Sequence, residues 1–227
     1  PALSPYLEGK VLLIDKPLKW TSFDMVKKVR WMTKIMKVGH AGTLDPLATG
    51  LLIICTGKYT KQINDYMGMT KEYTGSLVLG ATTASYDLEQ EPENFKSIEA
   101  ITELAIQEAT KQFIGTILQM PPQHSAIKKD GKRLYESARQ GIEVKVDPRQ
   151  ITIQEFEITK INLPNIEFRV LCSTGTYIRS LVHDFGQALG VGAYMSGLRR
   201  TKIGTFNVED AMQWEDLEQE IKDLLEG

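Results

Sequence analysis

Asp45 stands directly before Pro46 in the run Gly39-His40-Ala41-Gly42-Thr43-Leu44-Asp45-Pro46-Leu47-Ala48-Thr49-Gly50. Proline removes a backbone donor and steers the residue before it away from helical geometry, so Asp45 is expected in an extended or turn conformation. The glycines at 39, 42 and 50 let the backbone bend sharply and approach a ligand closely. The apolar run Leu51-Leu52-Ile53-Ile54-Cys55 that follows suits a buried strand. A polar loop that feeds a core strand presents a reactive side chain from a rigid base. A carboxylate there can act as nucleophile or as general acid and base. Asp-Pro is equally an ordinary turn initiator, and turn chemistry alone does not separate the two readings.

Other chemistries find less support. His40, His124 and His183 lack metal-ligand spacing and there is no Cys-x-x-Cys, so no metal is expected. Cys55 and Cys172 each lie in an apolar run and read as buried, reduced thiols. No cofactor motif is present, and none is expected to be used. The longest apolar runs are a few residues, short of the roughly 20 that span a bilayer, and no secretory signal opens the chain, which reads as cytoplasmic.

The net charge of −2 hides an imbalance. Residues 209–227 hold eight acids and one lysine, which leaves the first 208 residues with five more bases than acids. Lys27, Lys28, Arg30, Lys34 and Lys37 form a run with no acid between them. Lys128, Lys129, Lys132 and Arg133 form a second cluster, and Arg199, Arg200 and Lys202 a third. Such clusters are either solvated surface or phosphate contacts to a polyanion.

The elements that position these residues follow from period and caps. Residues 10–15 read as a strand, and Thr21 with Asp24 as a capping box opening a helix toward Met32. Strands are expected at 51–56 and 72–79, the latter with Tyr73, Leu77 and Leu79 on one face, and a short helix at 60–66. A helix is expected from about Ser97, placing Ile98, Ile101, Ala105 and Ala109 on one side, and another from 134 to 140, stopped by Gly141. Strands at 143–146, 151–161 (broken somewhere) and 166–172 follow. A helix at 177–189 ends at Gly190, a strand at 198–206 bends at Gly204, and a helix at 214–225 closes the chain. At 227 residues and 42% hydrophobic composition the chain can bury one full core. We expect a single α+β domain over residues 1–227, its central sheet mixed and largely antiparallel with flanking helices. The polar stretch 119–146 is expected to project as an RNA-gripping lobe.

Residues 39–50 resemble, over twelve consecutive positions, the catalytic loop of the TruB family, the bacterial tRNA pseudouridine-55 synthases. The resemblance continues in family order through Asp15-Lys16-Pro17 with Thr21-Ser22, Lys71-Glu72-Tyr73, Gln119-Met120-Pro121-Pro122 and Ser125-Ala126-Ile127-Lys128. It extends to Gly131–Glu136, Gly175-Thr176-Tyr177-Ile178-Arg179 and Leu198-Arg199-Arg200. It implies a pseudouridine-synthase fold and isomerisation of uridine 55 in the T-loop of tRNA, with Asp45 as the catalytic carboxylate and no cofactor. It further implies that Arg179 pairs with Asp45, Tyr73 stacks on the target base, and His40 contacts RNA near the flipped nucleotide. Tyr177 becomes a pocket wall, Leu198 an apolar contact to the nucleotide, and Lys16 a possible support near the site.

Two departures stand out. His124 lies where many relatives carry an aromatic residue, and no PUA-type C-terminal domain is expected, because residues 207–227 are few and acidic. The partner expected is the tRNA T-arm, with no membrane, no obligatory protein partner, and a monomeric state. Competing readings are a noncatalytic RNA-binding or tRNA-folding module, a guide-RNA-dependent synthase with the same core motifs, and a carboxylate glycosidase. The last needs two acids flanking the bond, and no second one is indicated near Asp45.

Overall fold

In the computed structural model, which describes residues 3–125 and 127–227, the capping box forms as its sequence predicts. Thr21 Oγ1 accepts from Asp24 N and Asp24 Oδ2 accepts from Thr21 N, both at 2.9 Å. These bonds satisfy two backbone donors at the start of helix Ser22–Thr33. Ala126, within one of the resemblance motifs and the expected lobe, lies outside the described residues, as does the Lys128 side chain.

The chain divides into two compact units, residues 1–73 with 198–227, and residues 74–197. In the first, strand Val11–Lys16 pairs antiparallel with Ala48–Thr56, from Val11 opposite Cys55 to Lys16 opposite Gly50. Met212–Gln213 runs parallel on the other side of Val11–Lys16, and Val38–His40 pairs antiparallel with the far end of Ala48–Thr56. Residues 198–200 of strand Ala193–Ile203 lie parallel to residues 48–50. The run 51–55 shows no polar alternation because both faces are covered. Leu52 and Ile54 pack with Met25, Val29, Trp214 and Leu217, while Leu51, Ile53 and Cys55 pack with Ala41 and Ile203.

The second unit is built on antiparallel pairing of Asn165–Cys172 with Arg149–Asn162, and of Gly115–Gln119 with Arg149–Asn162. The expected break in the long strand appears as register shifts between Ile153 and Glu155 and between Ile158 and Lys160. Helix Ile178–Ala188 supplies Phe185, whose ring meets Phe156 at 5.6 Å, as Phe168 does at 6.1 Å. The fold is thus the expected α+β arrangement on a mixed, largely antiparallel sheet.

Three expectations are corrected. The helix expected from Ser97 begins only at Glu103, because extended Thr102 caps it through a bond from Ala105 N to its Oγ1 at 3.1 Å. Residues 143–146 form no strand: the Gln123 side chain satisfies Val144 instead, donating to its carbonyl at 2.7 Å and accepting from its N–H at 3.1 Å. The segment expected to be a helix from 60 starts as a 3-10 turn, Gly57–Gln62, before Ile63–Met67. Strands Val38–His40 and Gly115–Gln119 carried too few residues of clear period to be read in advance. Among the described residues no helix is long and apolar enough to cross a membrane.

Candidate active site

Asp45 lies in the connection between Val38–His40 and Ala48–Thr56, two paired strands that fix both ends of loop 41–47. Three further contacts hold the loop. Ser22 Oγ accepts from Leu44 N at 2.8 Å and donates to Leu44 O at 3.2 Å. Lys19 N donates to Pro46 O at 2.7 Å, and Ala48 N closes a turn on Asp45 O at 2.9 Å. Leu44 is buried and Asp45 half-buried, so the loop backbone is anchored at the residue before the carboxylate.

Lys16 and Arg200 are buried cations of this unit. Lys16 is fully buried and donates to Pro17 O at 2.9 Å and Trp20 O at 2.6 Å. Burial pushes its ammonium down to about 8, with the Asp45 charge pulling the other way and Arg200 adding to the depression. Arg200, 1% exposed, donates from Nε to Leu51 O at 2.9 Å and from Nη2 to Gly42 O at 3.1 Å, which ties the loop to the core strand. His40 follows the same logic: burial first, then the Arg200 charge, holds its imidazole below the usual range and therefore neutral at pH 7.

Leu198 is paired with Ala48 across the parallel strands and half-buried, three residues along from Asp45. Gly50 makes that approach possible. Its φ is 110°, and a Cβ there would lie 2.2 Å from Arg200 O. Tyr73 is buried on strand Lys71–Leu79. Five of the expected residues (Asp45, Lys16, His40, Tyr73 and Leu198) therefore belong to the first unit, and Tyr177 and Arg179 to the second.

In the second unit, Tyr177 caps helix Ile178–Ala188 and Arg179 is its second residue. Gln119 clamps the Tyr177 backbone, accepting from its N–H at 2.8 Å and donating to its carbonyl at 3.0 Å. Arg179 is 5% exposed, not the surface residue its helix position also permits. A cation at a helix N-terminus opposes the backbone dipole and needs acceptors. It has His124 O at 2.7 Å, Ser85 O at 3.3 Å and Asp87 Oδ2 at 3.9 Å. Asp87 is itself buried, its Oδ1 accepting from Ser85 Oγ at 2.6 Å and Glu89 N at 2.9 Å. The arginine is thus built into its surroundings.

Sequence reasoning gave Asp87 no role and carried Ser22 and Arg200 as residues of the family motifs. Nothing in Ser85-Tyr86-Asp87 carries a period or motif. In the sequence, Arg199 and Arg200 group with Lys202 as solvated surface or phosphate contacts. Arg200 turns inward, and Arg199 forms a two-pronged pair with Asp15 at 2.8 and 2.9 Å. Burial works against the Asp15 charge, but the bonds from Arg199 and Gln213 hold its carboxyl below the usual range. His183 stacks on Tyr86 with ring centres 3.9 Å apart.

A half-buried carboxylate on a pinned loop beside a desolvated ammonium is a site for acid, base or nucleophilic chemistry. Residues 30–178 match the TruB family pseudouridylate synthase (N terminal domain), and residues 179–225 the tRNA pseudouridylate synthase B C-terminal domain. The chain belongs to the TruB family of pseudouridylate synthases. It is 58% identical to tRNA pseudouridine synthase B of Flavobacterium johnsoniae over 214 residues, 91% of this chain and 93% of that protein. It is 49% identical to tRNA pseudouridine synthase B of Chlorobaculum tepidum, covering 94% of this chain and 91% of that one. A solved Cbf5-Nop10-Gar1 complex contains a chain 31% identical with a TM-score of 0.75, and an H/ACA RNP bound to a substrate RNA contains one 29% identical with a TM-score of 0.72. This chain covers 96% of itself in both matches but spans only 56% and 55% of those chains.

Proposed function

We propose that the protein is a tRNA pseudouridine synthase that isomerises uridine 55 of the T-loop, with Asp45 as the reacting carboxylate. The reaction breaks the bond from ribose C1′ to uracil N1 and forms one from C1′ to C5; a proton leaves C5 and N1 gains one. Atoms and electrons balance within the nucleotide, so no redox partner or group donor enters. The target must leave its stack before a protein carboxylate can reach it. The observation that carries this reading is Asp45 itself, anchored through Leu44, Pro46 and Ala48, in a chain sharing nearly its whole length with proteins named for this activity.

The remaining roles follow from chemistry and the family resemblance. Arg179 is the counter-cation of Asp45, its planar fork suited to a carboxylate. Tyr73 and Tyr177 offer ring faces to the base, Leu198 packs on the nucleotide, and neutral His40 contacts RNA. Lys16 supplies positive charge behind the loop. A guide-RNA-dependent mode is the second reading, supported by the fold shared with the H/ACA chains, but the length shared with bacterial proteins named tRNA pseudouridine synthase B favours direct action on tRNA. The test is incubation of the chain alone with unmodified tRNA transcript and mapping of the product by mass spectrometry. Pseudouridine confined to the T-loop supports the proposal; product elsewhere overturns the substrate, and no product with bare tRNA overturns the stand-alone reading.

A further inference from the structure

Helix Ser22–Thr33 buries Ser22, Met25, Val26, Val29, Met32 and Thr33. Its opposite face is unusual. Phe23 is 50% exposed and Trp31 69% exposed, both large apolar rings in water. At helical spacing between and beyond them stand Lys27, Arg30 and Lys34. Lys27 Nζ lies 5.2 Å from the Phe23 ring centre, the Arg30 guanidinium 5.7 Å from the same ring, and Lys34 Nζ 5.4 Å from the Trp31 ring centre. Each exposed ring therefore has a cation against it. Only Asp24 offsets this charge on the helix, at 3.9 Å from Lys27.

The helix that carries the stripe is also tied to the loop that bears Asp45. It begins at Ser22, which holds Leu44, and Arg30 Nη2 donates to Val38 O at 2.8 Å near the base of the same hairpin. At a rise of about 1.5 Å per residue, Trp31 sits some ~13 Å along the helix from Ser22. An RNA presenting one nucleotide to the loop must place other nucleotides within that reach.

We propose that the stripe Phe23, Lys27, Arg30, Trp31 and Lys34 is a second RNA-contact surface, which takes unpaired nucleotides of the substrate RNA by stacking on its rings and pairing with their phosphates. Ring faces bind bases with little regard to sequence, and flanking cations supply the salt-dependent share. The surface thus adds affinity without reading the target. The inference rests on the proposed tRNA reading, but its test does not depend on turnover.

The experiment measures equilibrium binding of unmodified tRNA transcript by filter retention across a salt series, with Phe23→Ala/Trp31→Ala and Lys27→Gln/Lys34→Gln variants whose fold is checked by circular dichroism. The ring variant is expected to bind about tenfold more weakly with an unchanged salt slope. The lysine variant should bind several-fold more weakly with a slope lower by about 1 to 2. At saturating RNA, both should turn over at the parent rate. Folded variants with parent affinity and slope overturn the inference. A parent that self-associates, and loses this in the ring variant while RNA affinity stays unchanged, assigns the face to a second copy and overturns it too. A parent that binds tRNA but forms no pseudouridine defeats the proposed function instead.

Discussion

Ser22 Oγ exchanges two hydrogen bonds with the backbone of Leu44, at 2.8 and 3.2 Å, so the first residue of a helix grips the residue next to Asp45. The hydroxyl bridges two segments 22 residues apart, and both ends of the bridge are buried. Ser22→Ala leaves a buried N–H and carbonyl without this partner, a loss of about 1–3 kcal/mol in unfolding free energy. Turnover should fall as the carboxylate loses its fixed position, with RNA affinity little changed. Denaturant unfolding and single-turnover rates measure both; parent-like rates would remove Ser22 from the positioning of Asp45.

Asp45→Asn keeps the shape of the side chain and removes its charge and basicity. Product formation should drop below detection while tRNA binding survives. Mass-spectrometric mapping beside a binding titration reads the two separately. Residual activity within tenfold of the parent would transfer the chemistry to another group.

Lys16 gives a pH signature. Burial lowers its folded pKa to about 8 from the ordinary 10.5, so between these values the unfolded chain binds the extra proton. Stability contributed by this residue therefore rises with pH across that window, and below about 8 both states are charged and the full cost of burying the ammonium remains. Measured against Lys16→Met, the parent should gain about 3 kcal/mol between pH 8 and 10.5. Taking the difference cancels other groups, including Cys55, whose thiol burial pushes up to about 11. A flat difference would mean that the ammonium is hydrated.

Arg179 and Asp87 are expected to be coupled. The sequence alone predicts that Arg179→Ala leaves the fold largely intact, but its burial and its bonds to Ser85 O and His124 O make it structural as well. Asp87→Asn removes a buried anion 3.9 Å from the guanidinium and should cost about 3 kcal/mol and lower turnover. Arg179→Lys keeps the charge without the fork and should be stable but slow. A double-mutant cycle with no coupling in turnover would confine Asp87 to a folding role.

Gly50→Ala tests the strand pairing that brings Leu198 beside the loop. With φ at 110° and Arg200 O in the way, the added methyl must separate residues 48–50 from 198–200. Soluble protein with the parent melting temperature would contradict this register.

Much of the site was legible because it is local. The glycines, Asp45-Pro46 and the apolar run 51–55 are neighbours in the chain, and so are Thr21 and Asp24, whose capping box forms as read. The helix start near Ser97 failed for a related reason: Ile98 and Ile101 mimic a helical period, while the true cap at Thr102 decides the boundary.

The sequence by itself determined which carboxylate sits on a bent loop ahead of a core strand, and where most strands and helices run, since those depend on neighbours a few residues apart. Only the tertiary structure decided which cations are interior. Arg199 and Arg200 looked like Lys202 until Asp15, Leu51 and Gly42, each more than a hundred residues away, supplied their acceptors. A charge enters a protein interior only where partners have been assembled to replace water, and such partners need have no proximity in sequence.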